Sequence, residues 1–142
     1  MKTVVIGDLH GRECWKWIVN YEKPDRVIFV GDYFDSFDIK YDAQINNFLD
    51  LIQFKEDGGT DVIMLIGNHD YHYLPYINDR ATSGYQETYA HLIKQIVGLH
   101  QDHLQIAYQM DDFLFSHAGI SVEFMDIHFK SWQENLVVEH LT

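Results

Sequence analysis

Four short stretches carry residue types able to bind metal and move protons. They are Gly7-Asp8-Leu9-His10, Gly31-Asp32-Tyr33-Phe34-Asp35, Gly67-Asn68-His69-Asp70 and Ser116-His117-Ala118-Gly119. In the first, an aspartate and a histidine stand two residues apart, just past the apolar run Val4-Val5-Ile6. Residues i and i+2 of an extended segment point the same way, so Asp8 and His10 offer an oxygen and an imidazole to one side. Gly7 and Gly11 bracket the pair and allow the backbone to turn. Taken singly, each stretch is ordinary turn chemistry, in which Asp, Asn and Gly end strands and begin helices. Taken together they supply carboxylate, amide and imidazole donors without a thiolate, a set suited to Mn²⁺, Fe²⁺ or Zn²⁺. A carboxylate can bridge two ions, and two ions about 3.5–4 Å apart form a clamp for phosphoryl transfer.

The segments before these stretches read as elements able to hold them. "TVVIG" (3–7), "RVIFVGD" (26–32) and "DVIMLIGNHD" (61–70) are apolar and rich in β-branched residues, as buried strands are. Between them, "CWKWIVNY" (14–21) has helical apolar spacing. "DAQINNFLDLIQF" (42–54) has it more clearly, with Ile45, Phe48, Leu49 and Ile52 on one predicted face and Gly58-Gly59 as the stop. A β-α-β-α-β order implies an α/β fold with a parallel sheet and right-handed crossovers. A further helix is expected over about 86–98, with Tyr89, Leu92, Ile93 and Ile96 on one face. "LQIAYQMDDFLFSHAG" (104–119) reads as a hairpin turning near Asp111-Asp112, and 123–140 as a helix. In an open α/β sheet, ligands bind outside the carboxyl ends of the strands, so clusters far apart in sequence should meet in one crevice.

Composition narrows the class. The 142 residues suffice for one domain, 1–142, with a real core, and at 46% hydrophobic and 15% aromatic the chain reads as globular. The net charge of −12 disfavours non-specific binding to nucleic acid or a membrane surface. The single cysteine, Cys14, rules out an internal disulfide, suits the cytoplasm and is expected to be a small buried residue. No stretch reads as a signal peptide or reaches transmembrane length.

The ordered series GDLHG, GDYFD, GNHD and SHAG resembles the calcineurin-like metallophosphoesterase superfamily over roughly residues 3–120. The SHAG form is most similar to the branch of bacterial phosphoprotein phosphatases and symmetrical dinucleoside-tetraphosphatases. The resemblance implies an α/β/β/α sandwich and two divalent metal ions, Mn²⁺ foremost. By matching motif, Asp8 and His10 bind the first ion, Asp32 bridges, and Asn68 and His117 bind the second. His69 is the general acid and Asp35 orients it. The implied reaction is hydrolysis of a phosphate ester or pyrophosphate bond by hydroxide activated between the ions. The implied substrate is a phosphoprotein, a nucleotide or another phosphorylated small molecule.

Some residues depart from that pattern. Ser36 stands where the family usually carries a phosphate-contacting arginine, and Asp70 where the phosphoprotein phosphatases have glutamate. Asp70 reads as structural. The family's later histidine motif has no match, since His128 and His140 lack its glycine context. The chain therefore reads as the N-terminal part of a longer domain with an incomplete second sheet. It is expected to be weakly active or inactive by itself, and to self-associate through apolar residues such as Phe113 and Phe115. A non-catalytic scaffold module of the same fold is the alternative. "YHYLPY" (71–76) reads as a loop packing its tyrosines on the domain rather than a wall for a nucleoside base, and Trp15 and Trp17 as helix and core residues.

Overall fold

A computed structural model describes residues 1–77 and 83–123. Strand β1 (Thr3–Ile6) leads through helix α1 (Cys14–Glu22) to β2 (Arg26–Phe29), and α2 (Tyr41–Glu56) leads to β3 (Asp61–Leu65). A single helical turn, α3 (Asn68–Tyr71), follows β3. Then come α4 (Glu87–Leu99), a short β4 (Leu104–Gln105), and a hairpin of β5 (Ala107–Met110) and β6 (Phe113–Ser116).

Strands β1 to β4 pair in parallel in the order β1-β2-β3-β4. Because the order is sequential, right-handed crossovers deposit the connecting helices on one face. Val4, Ile6, Val27, Phe29, Val62 and Met64 point to that face and share a core with Trp15, Phe48, Leu51, Ile52 and Val97. The alternate residues point the other way. There the hairpin forms a second, antiparallel layer, in which Thr3 Oγ1 reaches Met110 Sδ at 3.8 Å and the Arg26 guanidinium lies over the Tyr108 ring. The hairpin turns at Asp111, whose φ of 51° is the left-handed conformation that tight turns favour. No helix among the described residues is long and apolar enough to cross a membrane.

Several side chains lie elsewhere than the spacing predicts. On α2, Leu49 is 37% exposed while Leu51 is fully buried, and Gln44 and Asn47 are buried beside Ile45, Phe48 and Ile52. The helix is rotated toward two polar residues because each has hydrogen-bond partners inside. On α4, Ile93 and Val97 are buried and Leu92 is exposed. On α1, Trp15 enters the core, whereas Trp17 is 67% exposed and stacks on Tyr21, and Cys14 is exposed. Leu104-Gln105 joins the parallel sheet instead of the hairpin, since β3 has a free edge there. Of the tyrosines in 71–76, Tyr73 is buried, while Tyr71 and Tyr76 are exposed. The helix expected over 123–140, with His128 and His140, lies outside the described residues from 124 on.

Candidate metal centre

The first three motif clusters follow β1, β2 and β3 at their carboxyl ends, and the fourth follows β6. Two glycines allow the ends of β2 and β3 to touch. At Gly31, φ is +109°, and a Cβ there would stand 2.7 Å from Gly67 Cα. At Gly67, a Cβ would stand 2.5 Å from Asp32 N. Only a residue without Cβ fits either place.

Asp70 fastens this contact. Its Oδ2 accepts N–H bonds from Asp32 at 2.7 Å and Gly67 at 2.9 Å, and its Oδ1 accepts one from Tyr33 at 2.8 Å. Burial pushes the Asp70 carboxyl up to about 8, against the pull of those three donors. The structural reading of this aspartate agrees with its contacts. It is a strap between two strand ends, turned away from the crevice.

Asp32 lies at the centre. Its carbonyl accepts from Leu9 N at 3.1 Å and His10 N at 2.8 Å, which brings the β1 loop beside the β2 loop. Its Oδ1 accepts from His69 N at 2.9 Å. Its Oδ2 faces two imidazoles, His117 Nε2 at 3.5 Å and His10 Nε2 at 3.8 Å. Both separations are too long for hydrogen bonds.

The far side of each ring explains what the near side can do. His10 Nδ1 lies 2.5 Å from the Phe34 carbonyl, and His117 Nδ1 lies 2.9 Å from the Val30 carbonyl. A carbonyl only accepts, so both Nδ1 atoms carry the hydrogen. In the neutral rings, both Nε2 atoms then present lone pairs to the Asp32 carboxylate. Lone pairs facing a carboxylate repel unless a cation or a proton lies between. Two donors each roughly 2.1 Å from one ion stand roughly 3.0–3.4 Å apart, close to the separations found. Asn68 Oδ1 adds another acceptor, 2.9 Å from His117 Nε2. The donor chemistry therefore fits divalent cations.

Two groups of ligand atoms, each within 4.8 Å of one another, share Asp32: His10 with His69, and Asp8 with His117. Asp8 lies near His117 as well, its Oδ1 4.0 Å from the Nδ1 that bonds to Val30, so its carboxylate borders the Asp32–His117 side of the cluster. His69 borders the His10 side, its ring edge-on to that of His10 at 5.0 Å between centroids. Asp8, His10, Asp32, Asn68, His69 and His117 thus converge around Asp32. Backbone strain is concentrated there. Of five non-glycine residues with positive φ among those described, three are His10 (44°), Asp32 (58°) and Asp35 (63°). Such conformations cost about 1–3 kcal/mol each and persist where surroundings impose them.

Asp35 lies behind His69. Its Oδ2 accepts from His69 Nδ1 at 3.0 Å, and its Oδ1 accepts from the Tyr73 hydroxyl at 2.6 Å. His72 Nε2 also stands 3.1 Å from Oδ2, without the geometry of a hydrogen bond. Ser36 does not face the crevice as a phosphate contact: its Oγ donates to Asp38 at 2.8 Å and its N–H to Gln44 at 3.1 Å.

Sequence spacing alone missed four supports. Gln44 ties the 36–39 loop to α2, donating to the Ile39 carbonyl at 2.6 Å. Asn47 accepts from Trp15 Nε1 at 2.8 Å and donates to the Arg12 carbonyl at 3.2 Å, two residues past His10. His72 and Tyr73 flank Asp35. The available signal for the last pair was their i+3 and i+4 spacing from His69, which puts the three on one face of a helical turn. A groove of about 500 Å³ on α4, lined by Pro75, His91, Lys94 and neighbours, shares no residue with the centre and has no comparable donor set.

No curated protein and no solved structure matches the chain at a significant level. The family model for calcineurin-like phosphoesterases matches residues 1–141, nearly the whole sequence and all four strand-end clusters. This chain, with its candidate metal-ligand residues gathered around Asp32, belongs to the calcineurin-like phosphoesterase family.

Proposed function

We propose that the chain is a metal-dependent hydrolase of phosphate esters or pyrophosphate bonds, acting with two divalent ions around Asp32, with Mn²⁺ the first choice and Fe²⁺ or Zn²⁺ alternatives. One observation carries the reading: a single carboxylate oxygen, Asp32 Oδ2, faces two imidazole nitrogens whose hydrogens are committed elsewhere. Asp8 and Asn68 complete the donor set. When bound, such ions lower the pKa of water and neutralise charge on the phosphoryl oxygens.

The residues of the chain supply the remainder. Asp35 fixes His69 through Nδ1 and leaves Nε2 to serve the leaving group. As the oxygen of water bonds to phosphorus, the ester P–O bond breaks and His69 gives its proton to the departing oxygen. The proton lost by water passes to solvent, from which His69 is recharged. The motif series supports a substrate among phosphoproteins, nucleotides and dinucleoside polyphosphates, and the acidic composition and lone cysteine support action in the cytoplasm away from membranes and bulk nucleic acid. Exposed Phe113 and Leu114 on β6 support self-association, which light scattering measures.

The test is hydrolysis of p-nitrophenyl phosphate with added Mn²⁺, alongside elemental analysis of the protein. Activity that needs the ion and is lost with chelator supports the reading. Two bound ions without turnover would instead favour a non-catalytic module of this fold, for which the inward-bonded Ser36 speaks. Failure to bind any ion would refute both the centre and the reaction.

A further inference from the structure

The proton-donor side of the centre continues inward past Asp35. A carboxylate on one rotatable bond can present either oxygen, or neither, to His69. Here Tyr73 removes that freedom. Its hydroxyl donates to Asp35 Oδ1 at 2.6 Å, a short bond of the charge-assisted kind. The phenol itself cannot swing: Tyr73 is 1% exposed, edge-on to Phe34 at 5.5 Å and stacked with Tyr85 at 5.7 Å. Burial and then the Asp35 bond raise its pKa, so it stays a donor.

Asp35 Oδ2 is flanked by two imidazoles. His69 Nδ1 is aligned to donate, while His72 Nε2 stands 3.1 Å away without hydrogen-bond geometry. The His72 ring is buried, packed edge-on against Tyr73 at 4.3 Å and Tyr85 at 5.0 Å. It blocks the inner side of Oδ2 and leaves the outer side to His69. On the chain, the three follow from one helical turn, with His72 and Tyr73 one turn beyond His69.

We propose that Tyr73 and His72 are positioning residues of the reaction: they hold the Asp35 carboxylate so that Oδ2 meets His69 Nδ1, and thereby aim the imidazole that protonates the leaving group. The proposal rests on the hydrolytic reading above and extends it to the far side of the donor. Partners of this kind behind a functional histidine change rates by about 10–100-fold.

The experiment compares an alkyl phosphate, whose leaving oxygen needs a proton, with p-nitrophenyl phosphate, whose leaving group departs without one. Tyr73→Phe removes only the hydroxyl and keeps the ring. It should lower the ratio of alkyl to nitrophenyl turnover about tenfold. His72→Ala, which removes the ring beside Oδ2, should lower the ratio in the same direction. His72→Phe, which keeps a buried ring there, should restore it. A second readout needs neither metal nor activity: in the metal-free protein, the ¹⁵N resonances of the His69 ring should move in Tyr73→Phe toward a mixture of tautomers. Equal loss on both phosphates, or His69 nitrogen shifts identical to wild type, overturns the proposal. Should Tyr73→Phe not fold, the comparison of His72→Ala with His72→Phe decides by the same two readouts. A wild-type chain that hydrolyses neither phosphate refutes the hydrolytic reading, and the nitrogen shifts then decide the positioning of His69 by themselves.

Discussion

Gly7 and Gly67 are matched in sequence, each the residue before a candidate metal ligand at a strand end, yet the structure separates them sharply. A Cβ at Gly67 would stand 2.5 Å from Asp32 N, about 0.9 Å short of the 3.4 Å at which ordinary contact begins, and 2.9 Å from Asp32 Cγ. These atoms are backbone and a carboxylate already held by its own bonds, so no flexible end can yield. Gly67→Ala must push the β2 and β3 ends apart. Overpacking of that kind costs about 1–3 kcal/mol. The separation also strains the N–H bonds of Gly67 and Asp32 to Asp70 and of His69 to Asp32, each worth about 1 kcal/mol net. A loss of about 2–4 kcal/mol is expected, or roughly 10 °C in Tm at this chain length. At Gly7 nothing lies within 4 Å of such a Cβ, so Gly7→Ala should fall within about 1 kcal/mol of wild type. Thermal and urea unfolding of both metal-free variants measures the difference. Metal titration should then show Gly67→Ala alone losing affinity, since it shifts Asp32. Equal Tm values for the two variants would refute the claim that the close approach of β2 and β3 builds the centre.

Three further substitutions probe separate parts of the site. His69→Ala should leave metal content nearly unchanged while cutting turnover of an alkyl phosphate by about 10²–10⁴, and a variant as fast as wild type would remove His69 from the acid role. Asp32→Asn should weaken metal binding and turnover together, as calorimetric titration and kinetics would show, because it removes charge from the oxygen facing both imidazoles. Asn47→Leu should cost about 2–3 kcal/mol in urea unfolding, since it strands the buried Trp15 indole N–H and the Arg12 carbonyl. Loss of less than about 0.5 kcal/mol there would mean that water satisfies both groups.

The sequence disclosed the parts of this molecule that follow a period or a motif. Apolar, β-branched runs locate β1, β2 and β3 to within a few residues, because parallel strands are buried on both faces and need such runs. The strand-end rule then predicts that four distant clusters meet, and their candidate ligands do gather around Asp32. Partition of those ligands was less legible. Motif assigns Asp8 to the ion of His10, while its carboxylate is grouped with Asp32 and His117, because a loop turned by Gly7 and Gly11, not strand spacing, sets its place. Orientation of α2 was legible in part: Ile45, Phe48 and Ile52 are buried as expected and Leu49 is not. Hydrophobic spacing is silent on Gln44 and Asn47, which are buried because the loops carrying Ser36, Ile39 and Arg12 present partners to them.

Their burial exposes how the candidate centre is held. Loops that carry ligands need N–H and C=O partners once they are buried, and strands can satisfy only their own ladders. In this chain the surplus is met by side chains that a hydrophobic pattern would discard: Gln44 and Asn47 from α2, and Asp70 from the turn after β3. Each bonds to backbone within a few residues of a ligand, and Asp70 bonds to the backbone of Asp32 itself. Asp32 consequently has its nitrogen, its carbonyl and Oδ1 committed to the fold, with Oδ2 turned to His10 and His117. The left-handed conformations of His10, Asp32 and Asp35 are the cost of that arrangement, and the buried polar straps are what offset it. The positions most informative about chemistry in this chain are therefore polar residues that a helical or strand period assigns to solvent and that the fold keeps inside.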